Sequence, residues 1–196
     1  MSKNSKGLAT RPLENEEYKQ IMHLLKNGFK YTVDGKEKTF RPNMQIALIL
    51  GLQANIGLRI GDILKLKLSD FKNNRLNIIE QKTKKNQYRK INIATINQIM
   101  NYAIQNNIKQ NDKLFNITTR AVQKQLKIVC DYLEFDHIST HSFRKYYATT
   151  RYKESNNNIR EVQKLLNHSS ISTTQDYIGV NQEEIDEASE SHFVGF

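Results

Sequence analysis

The sequence predicts an α+β domain in which helices dominate and one small antiparallel sheet is inserted. Most of the chain spaces its apolar residues three or four apart, as amphipathic helices do. Two short runs, RLNIIEQ (75–81) and YRKINIA (88–94), instead alternate with the period of a strand. The stretch TKKN lies between them, so the pair reads as one hairpin with a strongly basic turn. No internal repeat interrupts this order.

The elements follow from local signals. LENEEYKQIMHLLKNG opens with acids that suit a helix N-terminus, carries Leu13, Ile21, Leu24 and Leu25 as its apolar residues, and stops at Asn27-Gly28. FKYTVDGKEKTFRP has a Val-Asp-Gly-Lys turn signal and ends at Pro42, which leaves a long loop or a small hairpin. An apolar-rich helix over 43–55 breaks at Ile56-Gly57, and IGDILKLKL (60–68) resumes helical spacing. After the basic hairpin, helical patterns cover 95–107, 118–133, 141–153, 158–167 and about 172–178.

Composition narrows the function. A chain of 196 residues suits one domain and buries roughly 70% of its unfolded surface, so its core needs no disulfide or metal. Its longest apolar run, IALILGL (46–52), falls far short of the ~20 residues of a membrane span. MSKNSKGLATRP lacks the apolar core of a secretory signal, and one cysteine, Cys130 on a helix face near the core, suits a reducing cytoplasm. Lys and Arg number 30 against 20 acids. Five of those acids, and no Lys or Arg, lie in residues 181–196, so the body up to residue 180 carries +15. A body so basic beside a short acidic tail points to a polyanion, foremost nucleic acid.

The chemistry-bearing residues fall in four blocks. His141 and Arg144 sit three apart on one helix, so they share a face; a phosphate between them relieves their repulsion and matches the guanidinium fork. Arg59 follows a Gly-Leu turn at a helix start, where free N–H groups favour an anion, and Asp62 is expected to hold its guanidinium. Lys82 lies where the first strand enters the basic turn, near Lys84, Lys85, Arg89 and Lys90. In LLNHSSISTTQDY a helix ends at His168, a polar turn follows, and a short helix presents Tyr177. A free tyrosine, with a pKa near ~10, is a poor nucleophile until cations and a phosphate stabilise its phenolate. HISTH (137–141) spaces two histidines four apart but lacks the glutamate of a zincin, so no metal site is expected.

Taken in order, GLRIGDIL, a hairpin lysine, THSFRKYYAT and LLNHSSISTTQDY resemble the tyrosine recombinases, the phage-integrase family, from about Thr10 to Val180. The resemblance implies the catalytic-domain fold of that family, with residues 1–12 as a linker remnant, 13–180 as the catalytic domain and 181–196 as an acidic C-terminal tail. It makes Tyr177 the nucleophile of site-specific DNA strand cleavage and rejoining, with a 3′-phosphotyrosine intermediate and neither metal nor other cofactor. Arg59 and Arg144 would hold the non-bridging oxygens, Lys82 (or Lys84, since the turn's register is ambiguous) would protonate the leaving 5′ oxygen, and His141 and His168 would assist. Lys84, Lys85, Arg89, Lys145 and Arg151 are expected to contact double-stranded DNA, and Tyr146, Tyr147 and Tyr152 to serve the core or the DNA backbone.

One departure is Asn167, where the family has glycine before the second histidine; asparagine is the next-best residue for a left-handed helix end. Another is that the resemblance starts within a dozen residues of the N-terminus, where the family carries a core-binding domain. The chain is then a fragment or a stand-alone catalytic domain, with weak, salt-sensitive DNA binding. A monomer without DNA and a synaptic tetramer on it are implied, with the acidic tail docking on a neighbour or folding back. Rival readings are a type IB topoisomerase, which shares the residue constellation, and a non-catalytic DNA-binding relative. An RNA binder would show more exposed sheet aromatics than the hairpin's Tyr88.

Overall fold

A computed structural model describes residues 10–178, 186 and 189–193. Most of the expected linker (1–12) and most of the acidic tail (181–196) lie outside the described residues. The first helix, α1 (Asn15–Asn27), opens with a capping box in which Glu17 accepts from the Glu14 backbone N–H at 2.9 Å. It buries Ile21 and Leu25 and ends at Gly28, whose φ of 74° is left-handed. The Asp-Gly signal makes a true hairpin: β1 (Phe29–Val33) pairs antiparallel with β2 (Lys36–Phe40) through Asp34 and Gly35, both at positive φ.

Helix α2 (Met44–Ile56) is apolar on every side, and such a helix belongs at the centre of a core. It packs against α1, α4 (Ile93–Gln105) and α6 (Thr140–Glu154), while α5 (Thr119–Tyr132) lies against α1 and α6. Cys130, on α5, is buried, and that burial pushes its thiol up to about 12, so it is a packing residue and not a reactive one.

The segment expected as a helix over 60–68 is a single turn, α3 (Ile60–Ile63), followed by a 3-10 turn at Leu68–Asp70. Its second half is drawn into extended pairing: the Leu66 carbonyl accepts from Leu114 N–H at 2.8 Å, and Lys67 bridges Lys113. The expected hairpin is present but gains a third strand, giving β3 (Phe71–Lys72), β4 (Arg75–Ile79) and β5 (Asn86–Lys90) in that order, all antiparallel. Asn73 and Asn74 both take positive φ between β3 and β4, the geometry of a tight hairpin turn. The run expected as a strand through residue 94 stops earlier because the Asn92 side chain accepts from Ala94 N–H at 2.8 Å and caps α4.

Two further helices, α7 (Ile159–Leu166) and α8 (Ile171–Ile178), rest on α6 through a smaller apolar cluster of Tyr147, Ala148, Val162, Leu166 and Ile178. Asn167 ends α7 in the left-handed conformation, φ 58° and ψ 31°, as expected of an asparagine there. Of the other tyrosines on α6, Tyr147 is buried, Tyr152 flanks the smaller cluster, and Tyr146 stacks on Tyr18 and donates to Asn15 Oδ1 at 2.8 Å.

Gly57 joins the two cores. It caps α2 at φ 62°, and a Cβ there would lie 2.3 Å from the Tyr147 ring. Gly57→Ala therefore combines left-handed strain with overpacking and should destabilise the domain by roughly 2–4 kcal/mol. Denaturant unfolding checks this; a loss below about 0.5 kcal/mol, the scale of an ordinary surface change, would contradict it.

Candidate active site

Arg144 has no solvent exposure, which is rare for a charged side chain and demands partners. Ser139 caps α6, its hydroxyl accepting from His141 N–H at 3.2 Å, and this start fixes both His141 and Arg144 on one face. The guanidinium donates to the Gly57 carbonyl at the end of α2 and to the Leu166 carbonyl at 2.8 Å at the end of α7. Its Nη2 also lies 3.3 Å from His168 Nε2, while the buried Nε has no hydrogen-bond partner among the described residues. Burial, and then the nearby charge of Arg59, lower its pKa to about 10, which leaves it a cation at neutral pH.

His168 is buried, and its pKa falls to about 4, chiefly through desolvation and then through the charges of Arg144 and Arg59. It is therefore neutral at pH 7. Because Arg144 can only donate, Nε2 must accept, which assigns the proton to Nδ1 and directs it to Thr174 Oγ1 at 3.1 Å. Thr174, fully buried on α8, passes its own hydroxyl hydrogen to the Ser170 carbonyl at 3.4 Å.

Tyr177, half-buried on the same helix, reaches back over this pair. Its hydroxyl is 3.5 Å from His141 Nδ1, and its ring centroid is 4.7 Å from the His168 ring and 5.8 Å from Arg144 Cζ. Desolvation and the charges of Arg144, Arg59, Lys145 and Lys82 hold the His141 imidazole below its usual pKa. A neutral His141 can accept the tyrosine proton.

Arg59 ends the Gly57-Leu58 turn as the residue capping α3, but its partner is not Asp62. Its Nη1 donates to Glu80 Oε2 at 2.6 Å, and Glu80 is fully buried at the end of β4. Asp62 instead accepts from the Gln81 backbone N–H at 2.9 Å, and Gln81 Nε2 donates to the Gly61 carbonyl at 2.7 Å, so α3 grips the hairpin directly. On the other side Asn167 Nδ2 donates to the Asn86 carbonyl at 3.3 Å. Gln53, buried on α2, accepts from Ile60 N–H at 3.3 Å and donates to the Thr140 carbonyl at 3.2 Å once its amide is oriented to match them. That single amide ties the Arg59 turn to the start of the His141 helix.

Lys82, Lys84 and Lys85 are exposed on the loop between β4 and β5. Lys82 lies close enough for its charge to press on His141, and Lys85 likewise on His168. Lys84 sits at φ 57°, its N–H donating to the Glu80 carbonyl at 3.0 Å. Arg89 is turned inward: it donates to the Tyr147 hydroxyl at 2.8 Å and to the Ile56 carbonyl. Arg151 pairs with Glu154 and Glu161 on the flank of α6, and Lys145 donates to the Thr10 carbonyl with its ammonium 5.8 Å from the Tyr177 ring. The structure thus gathers Arg59, His141, Arg144, His168 and Tyr177 with Lys82 at their edge, and gives Arg89 and Arg151 internal partners.

Glu80, Thr174 and Gln53 escaped sequence reasoning. Glu80 had a signal, as the one acid in a hairpin of five basic residues from Lys82 to Lys90. Among the described residues no helix is long and apolar enough to cross a membrane.

The profile of the Phage integrase family matches residues 11–184. Tyrosine recombinase XerC of Caldanaerobacter subterraneus subsp. tengcongensis is 33% identical over 151 residues, which cover 71% of this chain and 42% of that protein. The probable integrase/recombinase YoeC of Bacillus subtilis is 34% identical over 140 residues, 66% of this chain and 74% of that protein. In fold, the chain superposes on XerH site-specific recombinase, solved with a palindromic difH substrate in a post-cleavage complex. The TM-score is 0.70 at 21% identity, covering 97% of this chain and 55% of that one. The chain thus spans about two fifths of the XerC relative's length. With a family profile that covers most of its residues laid over a fold of the same kind, the protein belongs to the phage integrase family, the tyrosine recombinases.

Proposed function

We propose that this domain cuts and rejoins double-stranded DNA at specific sites through a covalent 3′-phosphotyrosine. The observation that carries the reading is the approach of the Tyr177 hydroxyl to a neutral His141 over the face of Arg144. Tyr177 Oη attacks the scissile phosphorus as its proton passes to His141 Nδ1. The bond from phosphorus to the 5′ oxygen breaks, and Lys82 protonates that oxygen. Rejoining runs the same steps backward from a 5′-hydroxyl, and because the phosphotyrosine keeps the bond energy no ATP is needed.

The two arginines supply the electrostatic part. Arg144, a cation held in a dry site by protein carbonyls and keeping an unpartnered Nε–H, is preorganised for the charge that grows on the non-bridging oxygens. Arg59 completes the clamp from the α3 side. His168, as an acceptor from Arg144, holds that guanidinium in orientation. Lys84 and Lys85 project from the hairpin loop and suit contacts with the DNA backbone; Lys145 is nearer the tyrosine. XerH, solved with its palindromic difH substrate, supports DNA as the partner here; in this reading the domain acts on the duplex as part of a synaptic tetramer. A monomer is expected without DNA, and affinity should fall steeply with salt.

Covalent trapping tests the chemistry. Wild type and Tyr177→Phe are incubated with labelled nicked duplexes of mixed sequence in chelator at low salt. Label should stay with wild-type protein in denaturing gels and never with the Phe variant. If both proteins shift the DNA and neither traps it, cleavage is refuted and DNA binding alone remains.

The proton assignments have their own test on any duplex recovered from that trap. Lys82→Ala should slow cleavage by roughly 10²–10⁴-fold, as loss of a general acid does, and a substrate with sulfur in place of the bridging 5′ oxygen should restore the rate, since a thiolate leaves unprotonated. Lys84→Ala should show neither effect. Rescue of Lys84→Ala instead of Lys82→Ala would exchange their roles.

The depressed His168 pKa also predicts how stability depends on pH. A base whose folded pKa is lowered contributes its stability above the unfolded pKa of ~6.5 and loses it as pH falls toward the folded value of about 4. His141 shifts in the same direction. Unfolding free energy should therefore decline between pH 6.5 and 5, by up to roughly 3 kcal/mol once pH 4 is reached. His168→Gln should flatten that decline; an unchanged slope in the variant would show that His168 is not buried neutral.

A further inference from the structure

Glu80 is a buried acid in the site that the proposed chemistry does not use, and its carboxylate is closely partnered. Its Oε2 accepts from Arg59 Nη1 at 2.6 Å and from Thr83 Oγ1 at 2.7 Å, and its Oε1 from Gln87 Nε2 at 3.0 Å. Its backbone closes the hairpin loop: its N–H donates to the Lys85 carbonyl at 3.0 Å, and its carbonyl accepts from Lys84 N–H at 3.0 Å. Lys82 lies inside that loop. Gln87 also donates to the Leu165 carbonyl at 3.3 Å, which extends the network to α7.

We propose that Glu80 is a positioning residue that locks Arg59 and the Lys82 loop into one rigid unit and neutralises the arginine pair until a phosphate arrives. This deepens the cleavage reading above and rests on it. The geometry requires a carboxylate and not merely a polar group. Three donors converge on its two oxygens, one of them a guanidinium with 18% side-chain exposure. Burial favours the protonated acid, but the hydrogen bonds from Thr83 and Gln87 and the charges of Arg59 and Arg144 outweigh it and hold the carboxyl below its usual pKa. Without it the Arg59 and Arg144 guanidinium groups, whose charges act on one another, would lose the carboxylate charge that acts on both. A carboxylate in contact with Arg59 also opposes the incoming phosphate, so it should weaken DNA binding slightly while sharpening catalysis.

Charge and reach are separable by Glu80→Gln and Glu80→Asp. The measurements are affinity for a mixed-sequence 30-base-pair duplex (an arbitrary length of about three helical turns), the rate of adduct formation at saturating DNA, and the melting temperature. The Gln variant keeps the shape and should bind about two- to fivefold tighter, since one anion has left a cationic site. It should trap DNA at least about tenfold more slowly, because Arg59 is no longer fixed. The Asp variant keeps the charge and loses one methylene; it should bind as wild type does and still trap slowly. Trapping by both variants within twofold (about the scatter of a rate comparison) of wild type would overturn the proposal. So would losses of affinity and rate that simply follow a lowered melting temperature. If Glu80→Gln does not fold, the Asp variant decides alone, by slow trapping at unchanged affinity. If wild type itself traps no DNA, the cleavage reading fails, and the affinity arm still tests the charge: Gln tighter than Asp supports it, and equal binding refutes it.

Discussion

A guanidinium with no exposure to water is the constraint around which the site is arranged. Leaving a buried charge without its partners costs about 3–5 kcal/mol, so the folded chain must bring acceptors to Arg144 or not fold this way. It brings the Gly57 carbonyl from the end of α2, the Leu166 carbonyl from the end of α7, and the His168 ring just beyond. Those backbone acceptors are free because both helices end there in left-handed residues, Gly57 and Asn167, which turn the chain away and leave terminal carbonyls open. The same two turns deliver Arg59 and His168. One buried charge thus ties together residues of the candidate site that come from three separate elements.

The histidines are kept neutral by their desolvation first and by that charge second. Arg144 and Arg59 press on both imidazoles, and desolvation pushes in the same direction. A site of two fixed cations therefore carries two bases that are unprotonated at neutral pH. This resolves the repulsion that two histidines and two arginines would otherwise create, and in the proposed reaction it would leave His141 able to accept the Tyr177 proton. Thr174 adds direction: by accepting from His168 Nδ1, it leaves Nε2 as a lone-pair acceptor toward the guanidinium.

What the sequence made legible was whatever repeats at short range. The helices over 118–133, 141–153 and 158–167 and the basic hairpin were visible in periodicity, the first hairpin showed only as a turn signal that left a loop equally open, and Asn167 was readable as a left-handed helix end because few residues tolerate that geometry. That Arg59, His141, Arg144, His168 and Tyr177 belong together was suggested by the family's order of blocks, each weak alone, and the structure does bring these side chains near one another. What stayed hidden depended on distant pairing. The half-turn at 64–68 looked helical because Leu64 and Leu68 keep the spacing, yet the backbone at Leu66 is claimed by Leu114, nearly fifty positions away. Asp62 looked like the partner of Arg59 because it lies three residues on. The actual partner, Glu80, comes from another element, and nothing local distinguishes the two carboxylates.

The division of labour between rigid and exposed groups carries a mechanistic consequence. Arg59, Arg144, His168 and the frame of Tyr177 are held by buried or half-buried bonds to backbone and side chains. Lys82 alone among the six sits exposed on a loop, yet that loop is pinned at both shoulders. Gln81 is bound to Asp62 and Gly61, Glu80 is fixed by Arg59, and Asn86 is bound by Asn167. A lysine on such a tether can sweep a small arc without displacing the arginines. That arrangement suits a general acid, which must reach the leaving oxygen only when the bond breaks, whereas the groups that stabilise charge must already be in position before it. Tyr177 occupies the intermediate case. Its helix is anchored by Thr174, by Ile178 in the smaller core, and by Thr149 donating to the Ile178 carbonyl at 3.3 Å. Its hydroxyl lies 3.5 Å from His141 Nδ1, a long contact. In the proposed reaction Tyr177 would be aimed by its helix, and a bond from its hydroxyl to phosphorus would break no strong contact among the described residues.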